Sequence, residues 1–378
     1  MALTKVDQTM VSDQVFGRRN FIINGAMTVA QRGTSATALT SGGLFLIDRF
    51  EGIESTNGAA TVEQSTDTPA GFAKSLKLAV TTADTDMGGG QYSRLKYVIE
   101  AQDLQRLNYG TSDAETITLS FWVKSSKTGT YCFSLVKEDS TQYFYVKEYT
   151  ISSANTWEKK IITITPTAGS TTLITNSAGA IADDNGAGLQ LGWFLSAGTT
   201  YNGATDDAWS SNSNHYATSN QVNWMDNTSN NFYLTGVQLE VGNNATPFEH
   251  LSYGEELSLC HRYCFAACPA GEGGSGASNV QIGIGSFYTD TQIETVVHFP
   301  TTMRSSPTLS ANSGTNYFIS ETNAGGQGFN SWTGVYGAGK SQKLIYSSGT
   351  VSDFNNQGMA TRLAVQNSSA YVIFEAEL

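Results

Sequence analysis

The sequence predicts an all-β protein in which an antiparallel β-sandwich is followed by a short helix and a smaller C-terminal β-domain. Short runs that alternate apolar and polar residues recur along most of the chain, separated by clusters of Gly, Asn, Asp and Ser. Charged residues make up only 14% of the 378 residues, whereas glycine contributes 38, a composition that favours turn-rich β-structure. A capping-box spacing at Ser252 and Glu255 marks the start of the one short helix.

The clearest strand signal lies at residues 116–123. Its apolar side chains share one face, which predicts a half-buried strand: Ile117, Leu119, Phe121 and Val123. Similar runs follow directly at 131–136, 142–150 and 157–165, so we expect these four consecutive strands to form a meander. Two further runs, at 189–195 and 233–241, complete the predicted sandwich.

The patterns divide the chain into five segments: an arm at 1–20, the sandwich at 21–250, a connecting helix at 251–268, a Gly-rich linker at 269–279 and the C-terminal β-domain at 280–378. The arm either docks onto a neighbouring molecule or is a frayed tail. No N-terminal signal pattern and no window of about 18 apolar residues occurs, so we expect folding in a cytoplasm without membrane insertion.

The long segment between the last two predicted strands of the sandwich, residues 198–231, has the length and polarity of a functional or partner-contacting loop. Its aromatic side chains are candidate glycan ligands, because aromatic faces stack on sugar rings while Asn and Asp bind hydroxyls: Tyr201, Trp209, Tyr216 and Trp224. Trp209 and Trp224 are the better candidates because their immediate neighbours are polar. The alternative is that these rings fill the sheet core or a subunit interface.

The charge balance constrains the partners. The formal net charge is −12 and the pI about 4.8, whereas binding of a phosphate backbone needs clustered Lys and Arg. A nucleic-acid partner is therefore not expected, while carbohydrate and protein partners remain open. Large neutral faces with few charges also suit burial between identical subunits, which predicts a homo-oligomer.

Two kinds of metal site can be weighed. Cys260, His261, Cys264 and Cys268 have the chemistry of zinc ligands, but on one continuous helix they would advance along the axis and could not close a tetrahedron without a partner chain. The favoured interpretation is that these cysteines are small buried thiols. The acids around Asp84 and Asp183 lack a complete calcium loop, so a structural calcium stays open and no metal or other cofactor is predicted.

No catalytic group stands out. The four histidines lie outside any recognised catalytic spacing, so surface or structural roles are expected for all of them. The adjacent acid pairs are Asp183-Asp184, Asp206-Asp207 and Glu255-Glu256, which fit solvated loops or a first helical turn better than a general acid and base. We therefore predict that the protein is not an enzyme.

Seven short motifs add a further clue. They are NFIINGAM at 20–27, QRG at 31–33, DRF at 48–50, SFWVKS at 120–125, VQLEVG at 237–242, TPFE at 246–249 and YGEEL at 253–257. As a set these motifs resemble a family of bacteriophage tail-fibre-like virion proteins, over roughly two thirds of the chain. The stretch FPTTMRSSPT at 299–308 is similar to the variable C-terminal part of that family.

The resemblance implies a jelly-roll domain similar to carbohydrate-binding modules, assembled as a homotrimer in a virion appendage. It implies attachment to other virion proteins through the arm at 1–20, and host-surface recognition in the C-terminal part. The family has no shared catalytic residues. The expected function is thus a tail or head fibre that adsorbs to a host-surface glycan or protein, with a free carbohydrate-binding module or lectin, and a polysaccharide depolymerase, as the competing hypotheses.

Overall fold

The computed structural model describes residues 18–39, 42–269, 271, 280–322, 325–336, 339–348 and 358–378. Most of the arm at 1–20 and most of the linker at 269–279 lie outside these residues. The described chain is built almost entirely of antiparallel strands, with a single α-helix, so the all-β prediction is confirmed. It divides into two compact units.

The first unit contains residues 18–26, 38–43 and 52–251 among those described. Sheet I has the strand order β1 (Thr37–Leu39), β4 (Ala59–Ser65), β5 (Ser75–Thr82), β13 (Asn231–Val241), β7 (Ile117–Ser125) and β10 (Glu158–Ile164). Sheet II has the order β12 (Ala208–Ser210), β9 (Tyr143–Ile151), β8 (Gly129–Lys137), β11 (Ala187–Ala197), β6 (Tyr92–Glu100), β3 (Glu51–Glu54) and β2 (Gly42–Phe45). Short 3-10 helices lie at Ala101–Leu107, Ala168–Ser170, Ser177–Gly179 and Trp224–Asp226.

The two sheets pack face to face as a jelly-roll β-sandwich. Phe121 of sheet I lies edge-on to Tyr149 and Trp193 of sheet II, with ring centroids 5.3 Å and 5.9 Å away. The predicted inward face of β7 is fully buried. The predicted meander is wrong, because β7 and β10 pair in sheet I while β8 and β9 pair in sheet II. Alternation identifies the buried face of a strand but not its neighbours, so it could not show that the chain changes sheets.

A hydrogen-bonded pin fixes the beginning of the described chain to β13. Asn20 donates from Nδ2 to the Val237 carbonyl at 3.2 Å, and its Oδ1 accepts from the Leu239 amide at 3.0 Å. The backbone amide of Asn20 donates to the Glu249 carboxylate at 2.7 Å. Three motifs that are far apart in sequence, at 20–27, 237–242 and 246–249, therefore form one structural feature.

The second unit contains residues 27–37, 44–51 and the described part of 252–378. Sheet III has the order β14 (Cys264–Cys268), β23 (Val372–Glu375) and β17 (Thr308–Ala311). Sheet IV has the order β19 (Gly325–Phe329), β18 (Phe318–Thr322), β22 (Ala360–Val365), β15 (Val280–Thr289), β16 (Gln292–His298), β21 (Gln342–Ser348) and β20 (Ser331–Tyr336). The helix α1 (Tyr253–Cys260) precedes β14.

The connecting helix is shorter than predicted. The capping box at Ser252 and Glu255 is present and α1 begins as expected, but the helix ends at Cys260 instead of continuing to 268. Residues 264–268 form β14, which pairs with β23 more than 100 residues later in the chain. The i, i+4 spacing of cysteines predicts a continuing helix, whereas a distant strand that offers ladder hydrogen bonds is invisible to local pattern.

A buried charge network explains why 27–37 and 44–51 belong to this unit rather than to the predicted sandwich at 21–250. Arg32 donates from Nε to Glu375 at 2.6 Å and lies 3.2 Å from Glu377. Arg49 pairs with Glu377, and its guanidinium lies 3.4 Å from the ring centroid of Tyr263. The domain boundary is thus set by paired charges whose partners lie at the far end of the chain.

The outward face of sheet IV has a bare apolar row, which we call the bare face. It consists of Ile284 on β15, Val296 on β16 and Leu344 on β21, and Val296 lies directly opposite Leu344 in register. Ile284 is 77% exposed and Val296 is 42% exposed. Scattered apolar side chains are normal on a protein surface, but adjacent ones on neighbouring strands form a patch.

Candidate functional site

The outward face of sheet II is covered by the loop that follows β11. The residues of β11 that should face solvent by alternation are buried as well as those that face the core. Phe194 and Cys132 on this face form a cluster with Ala217 of the loop. Loop residues 198–222, which we call the covering loop, therefore act as a third layer over part of the sheet.

Local hydrogen bonds shape the covering loop. The amides of Tyr216 and Ala217 both donate to the Tyr201 carbonyl, at 3.1 Å and 3.0 Å, and Ala204 donates to the Ala217 carbonyl at 3.0 Å. These bonds bring Tyr201 and Tyr216 together, with ring centroids 5.9 Å apart. The two tyrosines that the sequence singled out are thus neighbours in space.

The covering loop and sheet II enclose a small pocket, which we call the aromatic pocket. It has a volume of about 90 Å³ and is lined by Tyr92, Arg94, Phe194, Tyr201 and Tyr216. Arg94 on β6 lies opposite Phe194 on β11 in register. The Arg94 guanidinium lies 5.4 Å from the Tyr92 and Phe194 ring centroids and 5.5 Å from that of Tyr216, within range of cation–π attraction.

The rings of the pocket hold one another in place. Tyr216 stacks on Phe194 with centroids 5.5 Å apart, and Tyr92 meets Tyr201 edge-on at 5.2 Å. Burial raises the pKa of the Tyr216 phenol, although the Arg94 charge opposes this shift. The phenol therefore remains protonated at neutral pH and keeps its hydrogen-bond donor. An aromatic wall, hydroxyl donors and a guanidinium are groups that suit a sugar.

A second pocket of about 140 Å³ is lined partly by the covering loop and includes Phe144, Trp209 and His215. Burial lowers the pKa of His215, and its Nδ1 is buried without a hydrogen-bond partner. Phe144 meets Tyr216 edge-on at 5.3 Å. Tyr216 thus contacts the lining of both pockets, which adjoin on one face of sheet II.

The two tryptophans do not occupy the positions expected of them. Trp209 is 3% exposed and donates from Nε1 to the Thr165 carbonyl at 3.0 Å, while Trp224 is fully buried. Polar neighbours made these two rings the better glycan candidates, but their burial favours the alternative, in which they fill the interior. Of the four predicted glycan ligands, Tyr201 and Tyr216 remain candidates.

Sequence reasoning missed the other three lining residues, Tyr92, Arg94 and Phe194. They lie on strands whose outward positions are not distinguished by local pattern. A signal was nevertheless present, since Tyr92, Arg94 and Lys96 occupy the outward positions of a strand whose inward face is apolar. The sequence pattern does not show the strand register that places Arg94 opposite Phe194.

The acid pairs have structural partners. Asp206 accepts from Lys147 Nζ at 2.8 Å and from the Glu148 amide at 2.8 Å, and Asp207 accepts from the Tyr145 hydroxyl at 2.7 Å. Glu255 forms the capping box of α1. Asp184 accepts from the Gly186 amide at 2.7 Å, as in an Asx turn. These contacts agree with the loop and cap roles that the sequence favours.

The cysteines and the remaining acids were weighed as metal ligands. Burial raises the pKa of the Cys260 and Cys264 thiols well above the usual value, which favours the neutral form over the thiolate that binds zinc. Asp84 accepts from the amides of Asn57 at 2.9 Å and Asp86 at 3.3 Å. Among the described residues, no group of three or more His, Cys, Asp or Glu side chains could hold a metal ion.

Comparisons with known proteins add little. No protein-family model matches the chain, and no curated protein matches it significantly. One similar solved structure is the enzymatically active domain of tailspike protein 4 of bacteriophage CBA120, at 14% identity and a TM-score of 0.30 over 59% of this chain. This chain spans about a fifth of that protein's length, with 21% of it covered.

Two further similar structures are carbohydrate-binding modules. The family 11 module of a Clostridium thermocellum cellulosomal cellulase matches at 11% identity and a TM-score of 0.29, over 57% of this chain and 99% of that one. A tandem of family 22 modules from Paenibacillus barcinonensis matches at 10% identity and a TM-score of 0.27, over 91% and 98%. Likenesses this slight carry no argument, so fold and function rest on the residues of this chain. Within the described part of the chain, no helix is both long enough and apolar enough to cross a membrane.

Proposed function

We propose that this protein is a non-enzymatic bacteriophage virion protein, a fibre-like tail or head appendage that attaches the particle to a host-surface glycan. The observation that carries the attachment role is the aromatic pocket, in which Tyr201 and Tyr216 of the covering loop meet Tyr92, Phe194 and the Arg94 guanidinium. Aromatic faces and hydroxyl donors are the groups with which proteins hold sugars. Tyr92, Arg94 and Phe194 lie on strands of sheet II, which hold their side chains in place before binding.

The virion context rests on the sequence resemblance. The motifs that carry it are not scattered, because those at 20–27, 237–242 and 246–249 form the pin on β13. Those at 31–33 and 48–50 supply Arg32 and Arg49 of the buried charge network. Motif residues that contact one another within this chain are a better basis for the resemblance than isolated matches would be. Production in a host cytoplasm and assembly into a particle are part of the same proposal.

Assembly as a homotrimer is part of the same proposal. The bare face supplies apolar surface on neighbouring strands, which a second copy of the chain would cover. Three copies would present three aromatic pockets, so that weak individual contacts would be multiplied by avidity. Other virion proteins would be bound through the arm at 1–20, which lies mostly outside the described residues.

Three measurements test the proposal. Light scattering of the purified full-length protein should give a mass three times the 40.5 kDa of one chain, and a mass of one chain at micromolar concentration would contradict the fibre. A glycan array should show binding that is lost in Tyr216→Ala. Surface attachment predicts no fall in polysaccharide viscosity, whereas a depolymerase would lower it.

A free carbohydrate-binding module is the second candidate, and the aromatic pocket favours it equally. The light-scattering mass distinguishes the free module from the fibre, because a free module needs no partner copies. Binding by a monomer would favour the module, whereas binding by a trimer with no turnover would favour the fibre.

A further inference from the structure

We propose that the aromatic pocket accepts a carboxylate-bearing sugar residue, such as a uronic or sialic acid, with the carboxylate against Arg94. The inference rests on the proposed glycan binding and specifies its chemical class. The chain has arginines at positions 18, 19, 32, 49, 94, 106, 262, 304 and 362. All of them except Arg94 have an acid or a carbonyl oxygen as partner among the described residues.

Arg94 is surrounded by rings instead. Its guanidinium lies 5.4 to 5.5 Å from three ring centroids, and its Nε is buried without a hydrogen-bond partner. Cation–π attraction offsets part of the cost of removing the charge from water, but it supplies no hydrogen-bond acceptor to the buried Nε. A guanidinium fork matches the two oxygens of a carboxylate, and such charge-assisted pairs are about twice as strong as neutral hydrogen bonds.

The rest of the lining points to the same class of ligand. No Asp, Glu, Asn or Gln lines the pocket, and the phenol hydroxyls of Tyr92, Tyr201 and Tyr216 have no side-chain hydrogen bond among the described residues. Neutral sugars present hydroxyl groups that need acceptors as well as donors. A pocket with a cation and phenol donors, but without carboxylate or amide acceptors, suits a ligand group that only accepts.

The size of the pocket limits what enters it. A volume of about 90 Å³ holds only a few waters and is far below the ~300 to 1,000 Å³ of sites that enclose a small molecule. One functional group with part of its ring would enter, and the rest of the glycan would lie outside. The net charge of −12 repels a polyanion at long range, but screening confines that repulsion to about 8 Å at physiological ionic strength.

The test uses the full-length protein on an array of uronylated and sialylated glycans, each paired with the same glycan after its carboxyl groups have been reduced to alcohols. We expect at least about tenfold tighter binding to the acidic member of a pair, which corresponds to a charge-assisted pair of hydrogen bonds. Arg94→Gln should reduce that ratio to about one. Arg94→Lys keeps the charge but loses the planar fork, so it should retain only part of the preference.

Arg362→Gln is the matched control, since it removes the same charge from a residue that lies in the second unit and should leave the ratio unchanged. Folding of each variant is checked by its thermal transition. Equal binding to both members of the pairs would overturn the acidic assignment and leave the glycan proposal standing, as would a preference that survives Arg94→Gln. Binding to no glycan at all would overturn both.

Discussion

The two seven-stranded sheets of this protein differ in whether the outward face is covered by the chain itself. In sheet II the covering loop lies on the outward face, so that Phe194 is 1% exposed. In sheet IV the corresponding surface is the bare face, where Ile284 is 77% exposed. A face that is covered by its own chain leaves small pockets whose shape is fixed by one fold, whereas a bare face offers area to another molecule. Under the proposed function, sheet II would bind the ligand and sheet IV would contact a partner copy.

The largest expected effect contrasts these faces directly. Phe194→Ala should lower the free energy of unfolding of the first unit by about 3 to 5 kcal/mol, because it leaves a cavity under the covering loop. Ile284→Ala removes an exposed side chain and should change the stability of an isolated chain by less than about 0.5 kcal/mol. Denaturant unfolding is followed by tryptophan fluorescence for the first unit, since Trp332 is the only tryptophan of the second unit, and by far-UV circular dichroism for the second unit.

Comparable losses for the two variants would mean that the faces do not differ in burial. A small loss for Phe194→Ala alone would show that the covering loop does not pack on sheet II in solution. The second result would also remove the basis for the aromatic pocket.

The next effect concerns assembly. Ile284→Asp would place a charge in the middle of the proposed contact, and losing the burial of one isoleucine costs about 1.5 to 3 kcal/mol per copy before the charge is counted. We expect the light-scattering mass to fall to that of one chain while the thermal transition persists. Ile161→Asp is the control, because Ile161 is also exposed, at 56%, but lies on β10 of sheet I.

An unchanged oligomer in Ile284→Asp would exclude the bare face as the contact between copies. Dissociation by Ile161→Asp alone would move that contact to sheet I. In both cases the sandwich fold would stand, because neither residue belongs to a core.

How far the sequence could predict these features depends on the range of the interactions involved. The inward face of β7 and the cap of α1 are set by residues a few positions apart, and both were predicted correctly. The early end of α1 and the assignment of Arg32 and Arg49 to the second unit depend on β23 and Glu377, more than 100 residues away. Local pattern contains no information about such distant partners.

The candidate site shows the same difference between what local sequence predicts and what depends on distant partners. Composition alone marked the covering loop as aromatic and polar, which led to Tyr201 and Tyr216. Composition could not show that Trp209 and Trp224 are buried, because the burial of a ring depends on the residues that pack over it. Arg94 was missed altogether, since its lack of an acid partner becomes visible only when the partners of every other arginine are known.

The smallest expected effect is a pH dependence confined to the charge network of the second unit. Burial alone would raise the pKa of Glu377, but the nearby Arg49 and Arg32 outweigh it, so the pKa is lowered from the usual 4.5. A carboxyl group with a lowered folded-state pKa contributes stability that is complete above the unfolded value and is lost as the pH falls through the folded one. Asp48 acts in the opposite sense, because burial raises its pKa and its contribution is lost as the pH rises.

The contribution of Glu377 is isolated by comparing the wild type with Glu377→Gln between pH 7 and the acid limit of the folded state. The variant should be less stable at neutral pH, and below about pH 4.5 its stability should fall less steeply, by up to about 1.4 kcal/mol per pH unit. Glu321→Gln, which alters the exposed pair with Arg362, is the control and should leave the slope unchanged. If the free energies of unfolding of the wild type and of Glu377→Gln fell with the same slope at acid pH, the network would not hold Glu377 as a charged group. The stability of the second unit would then depend on its apolar core and strand hydrogen bonds rather than on the charge of Glu377.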